Sequence, residues 1–325
     1  MTALLCLLLA GITSINVMPG PNGPRLEQDE RSTTVFIGAQ PVLTYVHAET
    51  LPPEGVDKVY KRSAYIHPLF SPGGEVLTRI QPPDHWHHYG IWNPWTRTHF
   101  GEYKVDFWNL GDRQGTVRFT DYLDKVEEED RAGFRARHAH VYFRENGSEG
   151  VALDEIWEVV VRPLNSTSYV VDLVFTLSTP LEGGITLEKY RYGGGLGYRG
   201  TERWWPGNAS VLTSEKKSWS DADATHARWV RIEGEASVPE GRSGILFLSH
   251  PQNRSHPEPM RMWPPNSNQG KENMFFEFCP IRHQEWVLEH GKEYTLRYRL
   301  VVFDGAISAE QAEQYWKEFK SYSKR

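Results

Sequence analysis

The sequence predicts an all-β protein, a large antiparallel β-sandwich with one C-terminal α-helix. Segments in which apolar and polar residues alternate recur along most of the chain, a period of two that is typical of strands with one buried face. Four such segments follow one another between residues 115 and 178, separated by polar turns. Apolar residues recur at helical spacing only near the C-terminal end. These observations favour two stacked sheets with the helix packed outside, although a jelly-roll strand order fits the same periodicity.

The first 32 residues precede the predicted domain. Residues 1–20 contain an apolar run that is too short to span a bilayer but has the length of a signal-peptide core, although no basic residue precedes it. We therefore predict an exported protein, periplasmic or secreted. Residues 21–32 are predicted to be a linker and residues 33–325 a single β-sandwich domain. Cys6 lies in the leader, which leaves Cys279 as the one thiol of the mature chain and predicts no internal disulfide.

The strands are predicted from alternation and turn residues. Residues 33–46 predict two short strands, and residues 64–80 a strand, a Pro-Gly-Gly turn and a second strand that leads into a histidine-rich loop. The four clearest segments are residues 115–126, 133–144, 151–162 and 168–178, with further strands near 227–234, 244–249, 273–278 and 294–303. Residues 308–321 predict a helix, because Ser308 and Gln311 form a capping box ahead of an apolar stripe that includes Trp316.

Composition excludes several classes of partner. The formal charge is −6 and the isoelectric point is near 6.1, which argues against nucleic acid or an anionic membrane as a partner. No segment after the leader is apolar enough to span a membrane. Aromatic residues make up 13% of the chain and include twelve tryptophans, which fits a large β core or surfaces that stack on sugars.

The densest chemistry lies in residues 84–93, where three histidines fall within four residues beside an aspartate and two tryptophans. Imidazole transfers protons near neutral pH, and indole offers a flat apolar surface with one polar atom. The pattern predicts a site that binds a polar, ring-shaped molecule, with Asp84, His87 and His88 as catalytic candidates and Trp86 and Trp92 as binding residues. In a plain strand, His85 and His87 would share a face and His88 would point away, as in a structural histidine pair.

Two further segments carry candidate residues. Six glycines among residues 183–197 are not followed by the lysine of a phosphate loop, so the segment predicts either a pocket wall or a surface turn. In the first case Tyr192, Tyr198 and Arg199 would contact the ligand. His138 and His140 share one face of a strand, which favours a cross-strand surface pair over metal ligands.

Several motifs together resemble the PmoA-like family, a domain of unknown function labelled as a methane oxygenase subunit. They are Tyr65–Leu69, Asp84-His85-x-His87-His88-x-Gly90, Val105-Asp106-Phe107-Trp108, Gly194–Arg199 and Leu296-x-Tyr298-Arg299-x-x-Val302-x-Asp304-Gly305. The resemblance implies an exported bacterial protein associated with carbohydrate breakdown. Asp106 and Trp108, which close the histidine-rich stretch at residues 84–108, are a further catalytic and a further binding candidate. A methane monooxygenase is excluded, because that membrane subunit is a bundle of long apolar helices and this chain has none.

The end of the chain is similar to galactose-mutarotase-like β-sandwiches. Glu277 precedes a proline-containing loop, a turn at residues 291–294 and a final strand. In those folds a histidine acts as acid and a late glutamate as base on a sugar, which implies a catalytic role for Glu277.

A divalent metal is an alternative to free acids and bases. His85, His87, Asp106 and His67 are the candidate ligands, since imidazole and carboxylate suit zinc or manganese. The spacing matches no established metal motif, and no other cofactor is indicated.

We therefore predict a carbohydrate-active protein that acts on a glycoside or free sugar by hydrolysis, elimination or epimerisation. The alternative is a non-catalytic sugar-binding or structural surface protein that uses the same aromatic residues.

Overall fold

The computed structural model describes residues 23–267 and 274–321. Three antiparallel sheets and one C-terminal helix make up this part of the chain, which confirms the predicted fold class. The predicted signal peptide, residues 1–20, lies outside the described residues. None of the helices in the described ranges is both long and apolar enough to cross a membrane.

The strands, β1 to β21 in chain order, form sheets of nine, eight and four. The first sheet has the spatial order β1 (Pro24–Gln28), β2 (Ser32–Ile37), β3 (Gln40–Val46), β4 (Tyr65–Leu69), β5 (Ile91–Trp92), β13 (Leu196–Arg199), β19 (Phe275–Phe278), β18 (Glu258–Met262), β15 (His226–Ala227). The second has the order β14 (Ala209–Thr213), β16 (Trp229–Glu235), β17 (Arg242–Ser249), β21 (Tyr294–Asp304), β11 (Ser168–Ser178), β10 (Glu149–Asn165), β9 (Ala132–Phe143), β8 (Gly115–Glu127). The small sheet has the order β20 (Trp286–Leu288), β12 (Ile185–Leu187), β6 (Thr98–Phe100), β7 (Tyr103–Val105).

The main core fills the space between the sheets. Alternate residues of β11 and of its neighbour β21 face it, among them Leu173 and Leu300, as the period of two predicts. The first sheet contributes residues such as Ile66, Ile91 and Phe276. The four long segments predicted between residues 115 and 178 are the ladder β8 to β11, and their pairing is antiparallel throughout.

His138 and His140 face this core, so the predicted surface pair is wrong. Both side chains are fully buried, because the inward face of β9 carries them against β10. His140 Nε2 lies 2.9 Å from a carboxylate oxygen of Glu155, and the Tyr45 hydroxyl lies 2.7 Å from His138 Nε2. Burial opposes ionisation of Glu155, but the two histidines outweigh it and lower the pKa of that carboxyl.

Helix α1 (Ala309–Lys320) covers the outer face of the second sheet. Its capping box is present: the Ser308 hydroxyl accepts from the Gln311 amide at 3.2 Å, and the Gln311 side chain accepts from the Ser308 amide at 2.8 Å. Ala312, Trp316 and Phe319 pack against outward residues of β16, β17 and β21. The apolar face of the helix and the outward residues of the second sheet therefore form a second, smaller core.

A buried carboxyl group lies where β18 meets β17 and β21. Glu258 is fully buried and accepts hydrogen bonds from Ser249 Oγ at 2.6 Å, Asn253 Nδ2 at 2.8 Å and the Tyr298 hydroxyl at 2.9 Å. Burial raises the pKa of Glu258 from 4.5 to about 7, against the lowering effect of the three hydrogen bonds.

Two predicted segments differ from the structure. The linker prediction for residues 21–32 is wrong from residue 24 onward, because Pro24–Gln28 pairs with β2 and Leu26 packs against the core. The strand predicted after the turn at residues 72–74 is also absent. Residues 76–80 make only single bridges, each to a different partner, so no ladder forms.

Candidate active site

The candidate site lies on the outer face of the first sheet, opposite the main core. Strand alternation places Ile91 and Phe276 in the core and their neighbours Trp92 and Phe275 on the outer face. There Trp92 and Phe275 form a separate aromatic cluster with Trp108 and other residues. The histidine loop packs on this cluster.

Two consecutive turns shape the histidine loop. The His85 amide donates to the Pro82 carbonyl at 2.8 Å, and the His88 amide donates to the His85 carbonyl at 3.0 Å. As a result all three imidazoles cluster: the ring centroids of His85 and His88 are 4.8 Å apart, those of His87 and His88 also 4.8 Å, and those of His85 and His87 5.5 Å. His88 therefore does not point away from His85 and His87, as it would in a plain strand.

A chain of charged hydrogen bonds runs from the sheet to the loop. Arg199 on β13 is fully buried, and its Nη2 lies 3.0 Å from Asp84 Oδ2. The same oxygen lies 2.8 Å from His85 Nδ1. Burial opposes ionisation of Asp84, but the hydrogen bond from His85 and the charge of Arg199 outweigh it and hold the pKa at about 2. Asp84 therefore orients His85 with Nδ1 protonated, and Nε2 is left available as a base.

His87 and His88 are neutral at physiological pH. Burial and the neighbouring charges of His85 and Arg199 lower the pKa of His87 to about 3, and burial lowers the pKa of His88 well below its usual range. Among the described residues, three buried nitrogens of the cluster have no hydrogen-bond partner: His88 Nε2 and the indole nitrogens of Trp92 and Trp108. The ring nitrogens of the half-buried His87 also have none in this part of the chain. Buried polar atoms are normally satisfied, so this concentration points to a polar ligand at the cluster.

Aromatic side chains from distant segments wall the site. The Trp263 ring lies 4.7 Å from that of His85, and the Arg199 guanidinium stands 4.9 Å from the Trp263 ring centroid. The Tyr192 hydroxyl lies 3.1 Å from both Trp263 Nε1 and Arg261 Nη2. Sequence reasoning missed Trp263 and Arg261, although their alternation with the apolar Met260 and Met262 was a usable signal.

The structure distributes the predicted binding residues between two faces. Trp92, Trp108, Tyr192 and Arg199 lie in the cluster, and Trp86 is half-buried in the histidine loop. The prediction for Tyr198 as a pocket wall is wrong. Strand alternation turns Tyr198 into the main core, where its hydroxyl donates to the Leu77 carbonyl at 2.7 Å.

The four predicted metal ligands do not converge on one point: His85 and His87 lie together, but Asp106 and His67 have other partners. Asp106 accepts from the backbone amides of Trp108 at 2.8 Å and Asn109 at 2.7 Å, so its carboxylate builds a turn. Burial raises the pKa of Asp106, against the lowering effect of these bonds. His67 Nδ1 lies 2.9 Å from the Thr78 hydroxyl, and burial lowers the pKa of His67 to about 4. Over residues 23–267 and 274–321, no three His, Cys, Asp or Glu side chains form a group that could hold a metal ion.

Glu277 lies on the same face of the sheet but beneath the glycine-rich segment. It is fully buried, its Oε1 accepts from the Gly193 amide at 2.5 Å, and burial raises its pKa well above the usual range. The carboxyl group is therefore protonated and is covered by the chain. Its catalytic role stays a prediction.

Comparison with known proteins adds one family. The model of DUF6807, a family of unknown function, matches residues 32–317, and no link to the PmoA-like family is shown. No curated protein matches the chain.

Solved structures of three carbohydrate-active proteins are similar only at a low level. The heparan sulfate lyase HepC from Pedobacter heparinus is 9% identical with a TM-score of 0.34, and the match covers 88% of this chain and 36% of that one. The alpha-galactosidase from Lactobacillus brevis is 9% identical with a TM-score of 0.34, and the match covers 89% of this chain and 40% of that one. A galactose mutarotase related enzyme from Lactobacillus acidophilus is 9% identical with a TM-score of 0.30, and the match covers 88% of this chain and 100% of that one. The chain thus spans well under half the length of the first two, and TM-scores this low carry no argument about its function.

Proposed function

The chain belongs to DUF6807, and we propose that this member of the family is an exported carbohydrate-active enzyme in which His85 is the general base. The observation that supports the proposal is the Arg199–Asp84–His85 chain, which ends beside imidazole and indole nitrogens that have no partner among the described residues. Sugar hydroxyls both donate and accept hydrogen bonds, so a sugar matches these nitrogens, and the half-buried Trp86 of the histidine loop offers an indole face for a sugar ring.

The arrangement suits removal of a proton from the ligand. Ionised Asp84 keeps the Nδ1 proton of His85 in place and stabilises the imidazolium that forms when Nε2 accepts a proton. The His85 side chain is 32% exposed, so a ligand can reach it. Neutral His87 can bond a hydroxyl group without adding charge to the site. The proton would come from a hydroxyl or from a carbon next to a carbonyl group, as in epimerisation or elimination.

Hydrolysis by a pair of carboxylates has less support from the geometry. That mechanism needs two carboxyl groups on opposite sides of the glycosidic bond, about 5 to 10 Å apart. Asp84 already binds His85 and Arg199, and Glu277 is covered by the glycine-rich segment. We therefore favour chemistry initiated by one base.

The test is a product screen with purified full-length protein against glycosides and free sugars, including sugars oxidised at a ring carbon. Products are followed by NMR and binding by calorimetry. For any substrate found, His85→Ala and Asp84→Asn should lower turnover by about 10²- to 10⁴-fold and leave sugar affinity nearly unchanged. His226→Ala is the matched control, because His226 is exposed on the edge strand of the same sheet.

If sugar binds but no product forms at high protein concentration, the proposed enzyme is refuted and the alternative, a non-catalytic sugar-binding protein, is supported. Turnover that is unchanged in both variants would remove His85 as the base. If no sugar is bound or converted, the proposal fails as a whole.

A further inference from the structure

A second cleft opens beside the candidate site. It has a volume of about 380 Å³ and lies between the β6–β7 hairpin, the turn built by Asp106 and the segment at residues 188–190. We propose that this cleft is a binding subsite for a neutral sugar unit, and that the ligand is an oligosaccharide whose reacting unit lies at the histidine loop. The inference rests on the proposed function and names its substrate class.

The lining offers a fixed aromatic ring and fixed amide groups. The Arg97 guanidinium stands 3.5 Å from the centroid of the Tyr190 ring and holds that ring in place. Asn109 Nδ2 donates to Asp106 Oδ2 at 2.7 Å, and Gln114 Oε1 accepts from the Asp106 amide at 2.9 Å. In the described part of the chain, the remaining side-chain amide atoms, Asn109 Oδ1 and Gln114 Nε2, have no partner. One acceptor and one donor are therefore available beside an aromatic ring, which is how sugar hydroxyls and ring faces are recognised.

The charges of the cleft favour a neutral sugar over an acidic one. Arg97 and Lys104 are cationic, and the carboxylates of Asp106, Asp112 and Glu188 lie in the same lining. Glu188 Oε1 lies 2.8 Å from His99 Nδ1. An anionic ligand would gain from the two cations but would be repelled by the three carboxylates, whereas uncharged hydroxyl groups can bond to both kinds of group.

The cleft and the histidine loop share structural elements. Asp106 lines the cleft, and its carboxylate holds the Trp108 amide. The Trp108 ring lies 5.6 Å from the His87 ring and 5.3 Å from the Tyr192 ring, which in turn lies 5.8 Å from the Tyr190 ring of the cleft. A continuous series of packed aromatic rings, through the buried Trp108, therefore ties the cleft to the histidine loop.

The experiment uses an array of neutral and acidic mono-, di- and tetrasaccharides probed with labelled full-length protein, followed by calorimetry on the glycans bound. The wild type should bind neutral oligosaccharides about 5- to 10-fold more tightly than the corresponding monosaccharides, and Tyr190→Ala should lose that advantage. Tyr190→Phe keeps the ring and should retain it. Trp205→Ala removes a tryptophan that is 53% exposed and lies outside the cleft, and should bind like the wild type.

Gln114→Ala is a second variant on another element, in case Tyr190→Ala does not fold as judged by circular dichroism, and it should weaken oligosaccharide binding alone. Equal affinity for mono- and oligosaccharides, unchanged in both variants, would overturn the subsite and leave the proposed function standing. A preference for acidic glycans would overturn the neutral class. Absence of binding to every glycan would overturn the subsite and the proposed function together.

Discussion

Glu258→Gln should remove a pH dependence of stability that the fold imposes. In the native protein burial raises the pKa of Glu258 from 4.5 to about 7, so the folded chain binds one more proton than the unfolded chain between these pH values. The stabilisation is fully present below the unfolded pKa and is lost as pH rises through the folded pKa. The difference between these two pKa values corresponds to about 3 kcal/mol.

The glutamine variant is neutral at every pH and can keep the hydrogen bonds, because its oxygen can accept from Ser249 and Asn253 while its amide nitrogen donates to the Tyr298 hydroxyl. We therefore expect Glu258→Gln to be more stable than the wild type by up to about 3 kcal/mol at pH 8, with a smaller difference at pH 5.

Urea unfolding followed by tryptophan fluorescence at pH 5, 6, 7 and 8 measures this effect. Glu240→Gln, at an exposed position, should follow the wild-type profile. A variant that is less stable than the wild type at pH 8, or that shows the same pH dependence, would refute the reasoning.

Two further predictions concern the segments around the site. Gly194→Ala should destabilise the protein by about 2 to 4 kcal/mol in thermal unfolding, because φ is +81° and an added Cβ would lie 1.8 Å from the Trp95 ring. Gly183→Ala is the control, because no atom lies within 4 Å of the added Cβ, and its stability should stay within about 0.5 kcal/mol of the wild type. An equal loss of stability in the two alanine variants would contradict this prediction. Glu277→Gln should keep the bond from the Gly193 amide and leave unfolding within about 1 kcal/mol and sugar turnover unchanged. A fall in turnover of about 100-fold would instead identify Glu277 as the catalytic acid or base.

The long strands were predictable because ten or more residues display a period of two clearly. The segments of β8 to β11 and β21, and the capped helix, are present where alternation and capping predict them. Strands such as β5, Ile91–Trp92, and β15, His226–Ala227, are too short to show any period, and their pairing depends on partners far along the chain. The same limit explains the absent strand at residues 76–80, whose apolar pattern finds no continuous partner.

The histidine loop was identifiable as a site from its residue types, but its partners were not. Asp84 binds Arg199, which is 115 residues away in sequence, and His85 packs on Trp263, which only the completed sheet brings near. The sequence predicts that the adjacent residues Tyr198 and Arg199 both line the site, yet neighbours on a strand face opposite sides, so only Arg199 lies on the face that carries the histidine loop. The sequence predicts a surface position for the buried His138–His140 pair, because the pairing of these histidines with Glu155 on the next strand cannot be read from sequence.

Transplanting this site into another protein would require more than its loop. The loop at residues 82–90 supplies Asp84 and the histidines. The groups that hold them come from β13, from β19 and from Trp263 just after β18, in a sheet whose other face is packed in the core. A host scaffold would need short strands in the same order and the same phase, since a shift of one residue would exchange Arg199 for an apolar side chain and place a guanidinium in the interior. A designer who grafted the nine loop residues alone would therefore move the histidines without the arginine that orders them.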